Sequence, residues 1–161
     1  MTPVSNGLTL KLTRALPGAP PVVFRWFSDK DRVRRWWGPH GFTTPWIEFE
    51  PRPGNAYRIE MQPPEGEAFY LRGEFRAVEP MARLAYTFIW EEPDPDDVET
   101  LVELEFRARG GETEVSLTQG AFGTEARRAL HRDGWTDGFD ELERLIPQDS
   151  RSGASNSVTE K

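Results

Sequence analysis

The sequence predicts an α+β fold: an antiparallel sheet of about seven strands, strongly curved around one long C-terminal helix. Three observations carry the prediction. Residues 43–119 alternate between apolar and polar side chains with a period of two, cut by turns rich in Gly and Pro. Residues 124–146 switch to a helical period, with Trp135, Phe139, Leu142 and Ile146 at i, i+4, i+7 and i+11. Two short helical segments lie between a first strand and the alternating region. Strands in a run, followed by one helix that must bury an apolar stripe, form a two-layer α+β arrangement.

The elements follow in chain order. Leu8, Leu10 and Leu12 alternate with Thr9, Lys11 and Thr13, which predicts a half-buried first strand. "LPGAPP" stops it, and Pro20 or Pro21 suits a helix start, where a missing N–H costs nothing. "PVVFRWF" then forms a short helix to Ser28, with Val23 and Phe27 on one face. Ser28 is expected to cap a second helix with Asp31 three residues on, and Gly38-Pro39 to end it. Val33, Trp36 and Trp37 share its stripe. Trp37 is expected to pack inward, and Trp36 to anchor the helix against the sheet.

Strands are expected at "TTPWIEFE", "YRIEM", Ala68–Val78, the run from Pro80 to Trp90, the run from Thr100, and "TEVSLTQ". "PRPGN", "PPEGE" and "RGGE" supply the turns. The loop "EEPDPDDVE", 91–99, carries six carboxylates and reads as a solvated, self-repelling connection. Its spacing lacks the Gly and the terminal Glu of a helix–loop–helix calcium site. In the last helix Gly134 and Gly138 each cost about 1 kcal/mol relative to Ala, which close packing or a vacated space would offset. Residues 1–7 are expected to be a loose leader and residues 147–161 a polar, disordered tail around a single domain at 8–146.

Composition narrows the function classes. A net charge of −7 argues against a nucleic-acid partner, which calls for clustered Lys and Arg. No apolar run approaches the ~20 residues of a membrane span. "MTPVSNGLTL" lacks the basic region and apolar block of a signal peptide, and the chain has no Cys, so a cytoplasmic location is expected. No HExxH, GxSxG or Cys-based triad is present, and the two histidines, His40 and His131, stand far apart in sequence. Neither a metal nor another cofactor is expected. A homodimer stays open.

Four stretches sharpen the fold: "APPVVFRWFSDKDRVRRWWGPHGF", "FEPRPGNAYRIEM", "GEFRAVEPMARLAYTFIW" and "GWTDGFDELERL". In this order they resemble the family named after the activator of the heat-shock-protein-90 ATPase. That family lies within the START and birch-pollen-allergen (SRPBCC) superfamily of helix-grip folds. The resemblance covers roughly residues 8–146. It implies a cavity between the concave sheet and the long helix. Superfamily members bind lipids, sterols, hormones or polyketides, and some catalyse cyclisation or hydrolysis.

Combined with strand alternation, the resemblance implies that Tyr57, Ile59 and Met61, with Tyr86, Phe88 and Trp90, line that cavity, or else part of the opposite-parity set. Trp135 and Phe139 would join from the helix, with His131 one turn earlier on the stripe. Trp37 and Phe42 would stand at the mouth. The expected function is binding of an apolar, lipid-, aromatic- or polyketide-like molecule. A protein-interaction or chaperone-ATPase-stimulating domain is the alternative. A cyclase- or hydrolase-like enzyme is the second, for which Glu48, Glu60, His131 and Asp133 are the acid–base candidates.

Overall fold

In the computed structural model, residues 8–160 are described, with side chains to Asp149. The elements are β1 (Leu10–Pro17), α1 (Pro20–Ser28), α2 (Lys30–Trp36), β2 (Ile47–Glu48), β3 (Ala56–Met61), β4 (Phe69–Glu79), β5 (Arg83–Trp90), β6 (Thr100–Arg109), β7 (Glu112–Gly120) and α3 (Glu125–Glu160). The seven strands form one antiparallel sheet in the order β1-β7-β6-β5-β4-β3-β2. This is the helix-grip fold: the sheet curves around α3, and α1 and α2 close one end. The leader expected at residues 1–7 lies outside the described residues. Among those described, no helix is long and apolar enough to cross a membrane.

Alternation sets which face of each strand is buried. Tyr57, Ile59 and Met61 on β3 and Val102, Leu104 and Phe106 on β6 all point into the core. Arg58 and Glu60 lie between them on the opposite face of β3, which is less covered. Curvature has local causes. The β4–β5 register shifts between Phe75 and Ala77, a bulge that bends the strand. Beside it, a Cβ on Gly73 would lie 1.9 Å from the Thr87 carbonyl oxygen and 2.6 Å from the Tyr57 ring. Only glycine permits that approach, and it lets the Tyr57 hydroxyl donate to the same carbonyl at 2.6 Å.

Three local expectations need correction. Asp29, not Ser28, caps α2, its carboxylate accepting from the Asp31 N–H at 3.1 Å. Ser28 instead closes α1, its hydroxyl donating to the Phe24 carbonyl. Trp37 is not helical: it is the C-cap of α2 with extended backbone angles, yet its ring stays 5.7 Å from that of Trp36 and both pack on Trp135. Finally, α3 does not stop before Pro147. Proline removes one backbone hydrogen bond, while Asp149 on the next turn pairs with Arg32 and Arg35 of α2 at 3.6 and 3.4 Å. Those contacts hold the following turn against the domain.

Candidate functional site

Where the sheet, α3 and the turn after α2 meet, the core does not close. It leaves a cavity of about 330 Å³ that opens to solvent. One wall comes from Trp36 and Trp37 and from Phe42 in the loop that follows. Met61, Phe69, Phe88 and Trp90 form the sheet wall. The helix contributes Leu130, His131, Gly134 and Trp135, positions that share a face at helical spacing. Gly134 belongs here for a visible reason: a Cβ would meet nothing closer than Pro39, at 3.9 Å, so its missing side chain is part of the empty space. Gly138, one turn on, is the opposite case, with Trp36 lying against its backbone at contact distance.

The walls are held by polar bonds behind them. Trp36 donates from Nε1 to the Trp26 carbonyl at 2.8 Å, fixing it between α1 and α3. Its anchor is therefore helical, with rings of Phe27 and Trp135 at 5.1 and 6.0 Å, rather than the sheet face expected from sequence. Trp135 donates to Gln119 Oε1 at 2.8 Å, and Gln119 donates to Thr100 Oγ1 at 2.9 Å, all three buried. A buried indole N–H left alone would be costly. Satisfied in this way, both indoles turn only carbon to the cavity.

His131 sits among rings, with Phe122, Phe88 and Trp90 centroids at 4.9, 5.2 and 5.8 Å. Burial in this apolar setting, reinforced by the nearby Arg127 charge, pulls its pKa down to about 4. The imidazole is neutral at neutral pH, offering one donor and one acceptor. Neither ring nitrogen has a hydrogen-bond partner among the described residues.

The cavity mouth is acidic. Glu92, Asp94 and Asp97 of the 91–99 loop border it, opposite Arg127 on the first turn of α3. Arg127 bonds the Asp94 carboxylate, Asp96 at 3.1 Å and Asp97 at 3.2 Å. Thr124 donates to Asp96 at 2.8 Å, and this bond, with Arg127, holds that carboxyl below its usual range. The loop is thus tied to α3 rather than free and self-repelling. Sequence reasoning missed Arg127. The available signal was an arginine opening a helix in a chain whose one dense acidic loop had no stated counter-charge.

Of the side chains singled out from sequence, Trp37, Phe42, Met61, Phe88, Trp90, His131 and Trp135 come together around the cavity. Tyr57, Ile59, Tyr86 and Phe139 do not line it. They are buried in the core instead: Tyr57 and Tyr86 pack in a cluster with Phe49 and Phe75 at 5.1–6.1 Å, and Phe139 packs against Phe27 and Trp135 at 6.3 and 6.2 Å. Glu48 and Asp133 are exposed, and Glu60 lies on the outer face of β3, so none of these three carboxylates reaches the cavity. His40 is also outside, its backbone N–H donating to Asp137 Oδ2 at 3.1 Å. His40, Asp137 and Asp140 form the one cluster among the described residues whose potential metal-ligating atoms lie within 4.8 Å of one another. Arg14 already occupies Asp140, and His40 is mostly exposed, so the cluster reads as a surface ion-pair group.

Comparison with known proteins agrees with this fold. The family described as "Activator of Hsp90 ATPase homolog 1-like protein" matches residues 18–146. Among solved structures, the AHSA1 protein from Silicibacter pomeroyi is 25% identical with a TM-score of 0.78, covering 88% of this chain and 99% of its own. A protein from Chromobacterium violaceum is 23% identical with a TM-score of 0.77, covering 87% and 97%. One from Nitrosomonas europaea is 24% identical with a TM-score of 0.76, covering 89% and 97%. No curated protein matches the chain.

Proposed function

The chain belongs to the family of Activator of Hsp90 ATPase homolog 1-like proteins, and from that premise we propose that it binds an apolar small molecule in the cavity between its sheet and α3. One observation carries the reading: an open space of about 330 Å³ walled by Trp, Phe, Met and Leu side chains whose backing is rigid. Binding sites for small molecules are of this kind, concave and mostly apolar, roughly 300–1,000 Å³, with few polar groups. The gain comes from moving apolar ligand surface out of water at about 25 cal/mol per Å². Because the walls are already in place, little is lost to ordering them.

The test uses N-phenylnaphthylamine, a neutral fluorophore that brightens in apolar surroundings. The wild-type chain should bind it saturably, one to one. Gly134→Leu should weaken that binding at least tenfold, because the new side chain fills the cavity while improving helix propensity. Absence of saturable binding, or equal binding by Gly134→Leu, would overturn the proposal.

A further inference from the structure

The cavity is apolar in its depth and charged at its mouth, and the two features select a ligand class. In the depth, the imidazole of His131 lies against the rings of Phe88, Trp90 and Phe122 without a polar partner among the described residues. With no such protein partner, this donor and acceptor are left to water or to a ligand that enters the open cavity. At the mouth the carboxylates of Glu92, Asp94 and Asp97, with Asp96 beside them on Arg127, outnumber the one guanidinium among them. Arg127 is ion-paired through Nε and Nη2 with three of these carboxylates, so its single positive charge is already more than matched and an anionic head group would meet a mouth of net negative charge. Fatty acids and other carboxylates would meet like charge beside a low-dielectric wall, where repulsion is screened less than in open water.

We propose that the cavity takes an uncharged, ring-containing molecule bearing one hydroxyl or carbonyl group that bonds His131, and that the acidic mouth turns carboxylates away. This rests on the reading of the cavity as an apolar binding site. Aromatic walls favour flat or alicyclic rings over flexible chains, since a ring brings area with few rotors to freeze. The hydroxyl takes the place of water on the imidazole, a bond that a hydrocarbon of the same shape would displace without replacing.

Three competitors with one skeleton test it: naphthalene, naphthol and naphthoate, each displacing N-phenylnaphthylamine near neutral pH. Naphthol should compete about tenfold better than naphthalene, the effect of one buried hydrogen bond. Naphthoate should compete at least tenfold worse than naphthol. In His131→Phe the naphthol-to-naphthalene ratio should fall towards one, whatever the affinity for naphthalene itself. In the double variant Glu92→Gln/Asp94→Asn the naphthoate-to-naphthol ratio should rise several-fold. If naphthoate competes as well as naphthol in the wild type, or the naphthol preference survives in His131→Phe, the selection rule is wrong although the cavity still binds apolar molecules. If none of the three competes and the fluorophore itself does not bind, the cavity reading falls with it.

Discussion

Two glycines four residues apart on α3 should respond to the same substitution with opposite sign. In Gly134→Ala the new methyl has nothing within contact except Pro39 Cγ at 3.9 Å. The helix gain of about 0.8–1.0 kcal/mol is then realised nearly in full. In Gly138→Ala the methyl would stand 3.0 Å from Trp36 Cε3, and 3.3 Å from both Cζ3 and the Trp36 carbonyl oxygen. That ring cannot swing away, because its Nε1 is bonded to Trp26 and Phe27 lies against it. Overpacking of this kind costs about 1–3 kcal/mol, so after the helix gain the net change is about 0–2 kcal/mol of lost stability. For a domain of this size each kcal/mol moves the melting midpoint by about 2–4 °C. Thermal unfolding followed by far-UV circular dichroism should therefore place Gly134→Ala above the wild type and Gly138→Ala below it. Should both variants melt higher by the same amount, the close packing of Trp36 on Gly138 is not a real constraint, and the assignment of the two glycines to different tasks fails.

Two further outcomes follow from single contacts. His131 has a pKa of about 4 in the folded chain against its ordinary 6.5, so the unfolded chain binds a proton more readily. Stability from this group is complete above about pH 6.5 and is lost as pH falls through about 4, by up to roughly 3 kcal/mol. The charged groups that line the same spaces are Arg127 on its own helix and Glu92, Asp94, Asp96 and Asp97 on the acidic loop. Urea midpoints measured across that window should slope less steeply in His131→Gln, and an unchanged slope would mean that other groups govern acid sensitivity. Ending the chain after Asp149 should shift the melting midpoint by less than about 2 °C, since the last buried side chain of α3 among those described is Ile146. A fall of about 10 °C would show that the deleted residues contribute contacts of their own.

Much of the fold was legible because burial on a sheet is a matter of parity. Once Tyr57, Ile59 and Met61 alternate with Arg58 and Glu60, the buried face of β3 is decided, and the same holds for β6. Depth along the strand is not a matter of parity. Met61 reaches the cavity and Tyr57 does not, because Tyr57 is covered by Phe49, Phe75 and Tyr86, rings brought in from other parts of the sheet that the pattern of β3 alone does not show. The same limit explains the tryptophan pair. Spacing placed both indoles on one stripe of a helix, but the helix ends at Trp36, and it is the extended Trp37 backbone that brings its ring beside Trp36 and on to Phe88. Arg127 was invisible for a different reason: its partners lie about thirty residues away across the mouth, and no local rule joins a helix start to a loop.

The cavity is better understood as specified than as a packing fault. An empty, sealed void of about 330 Å³ would cost about 8 kcal/mol at about 24 cal/mol per Å³. That is comparable with the whole stability of an ordinary domain, about 5–15 kcal/mol. Such a space persists only if it is wetted through an opening or filled. The opening exists at the mouth, where Arg127 draws the acidic loop to α3 beside the cavity. Side chains that could have filled the space are absent or tied back: Gly134 supplies none, and Trp36 and Trp135 are held by bonds to Trp26 and Gln119. Relaxing those bonds would let the indoles collapse inward, but it would leave buried N–H groups unpaired at about 1–3 kcal/mol each. The polar bonds behind the walls therefore keep the apolar space in front of them open, and that space is what a ligand would occupy.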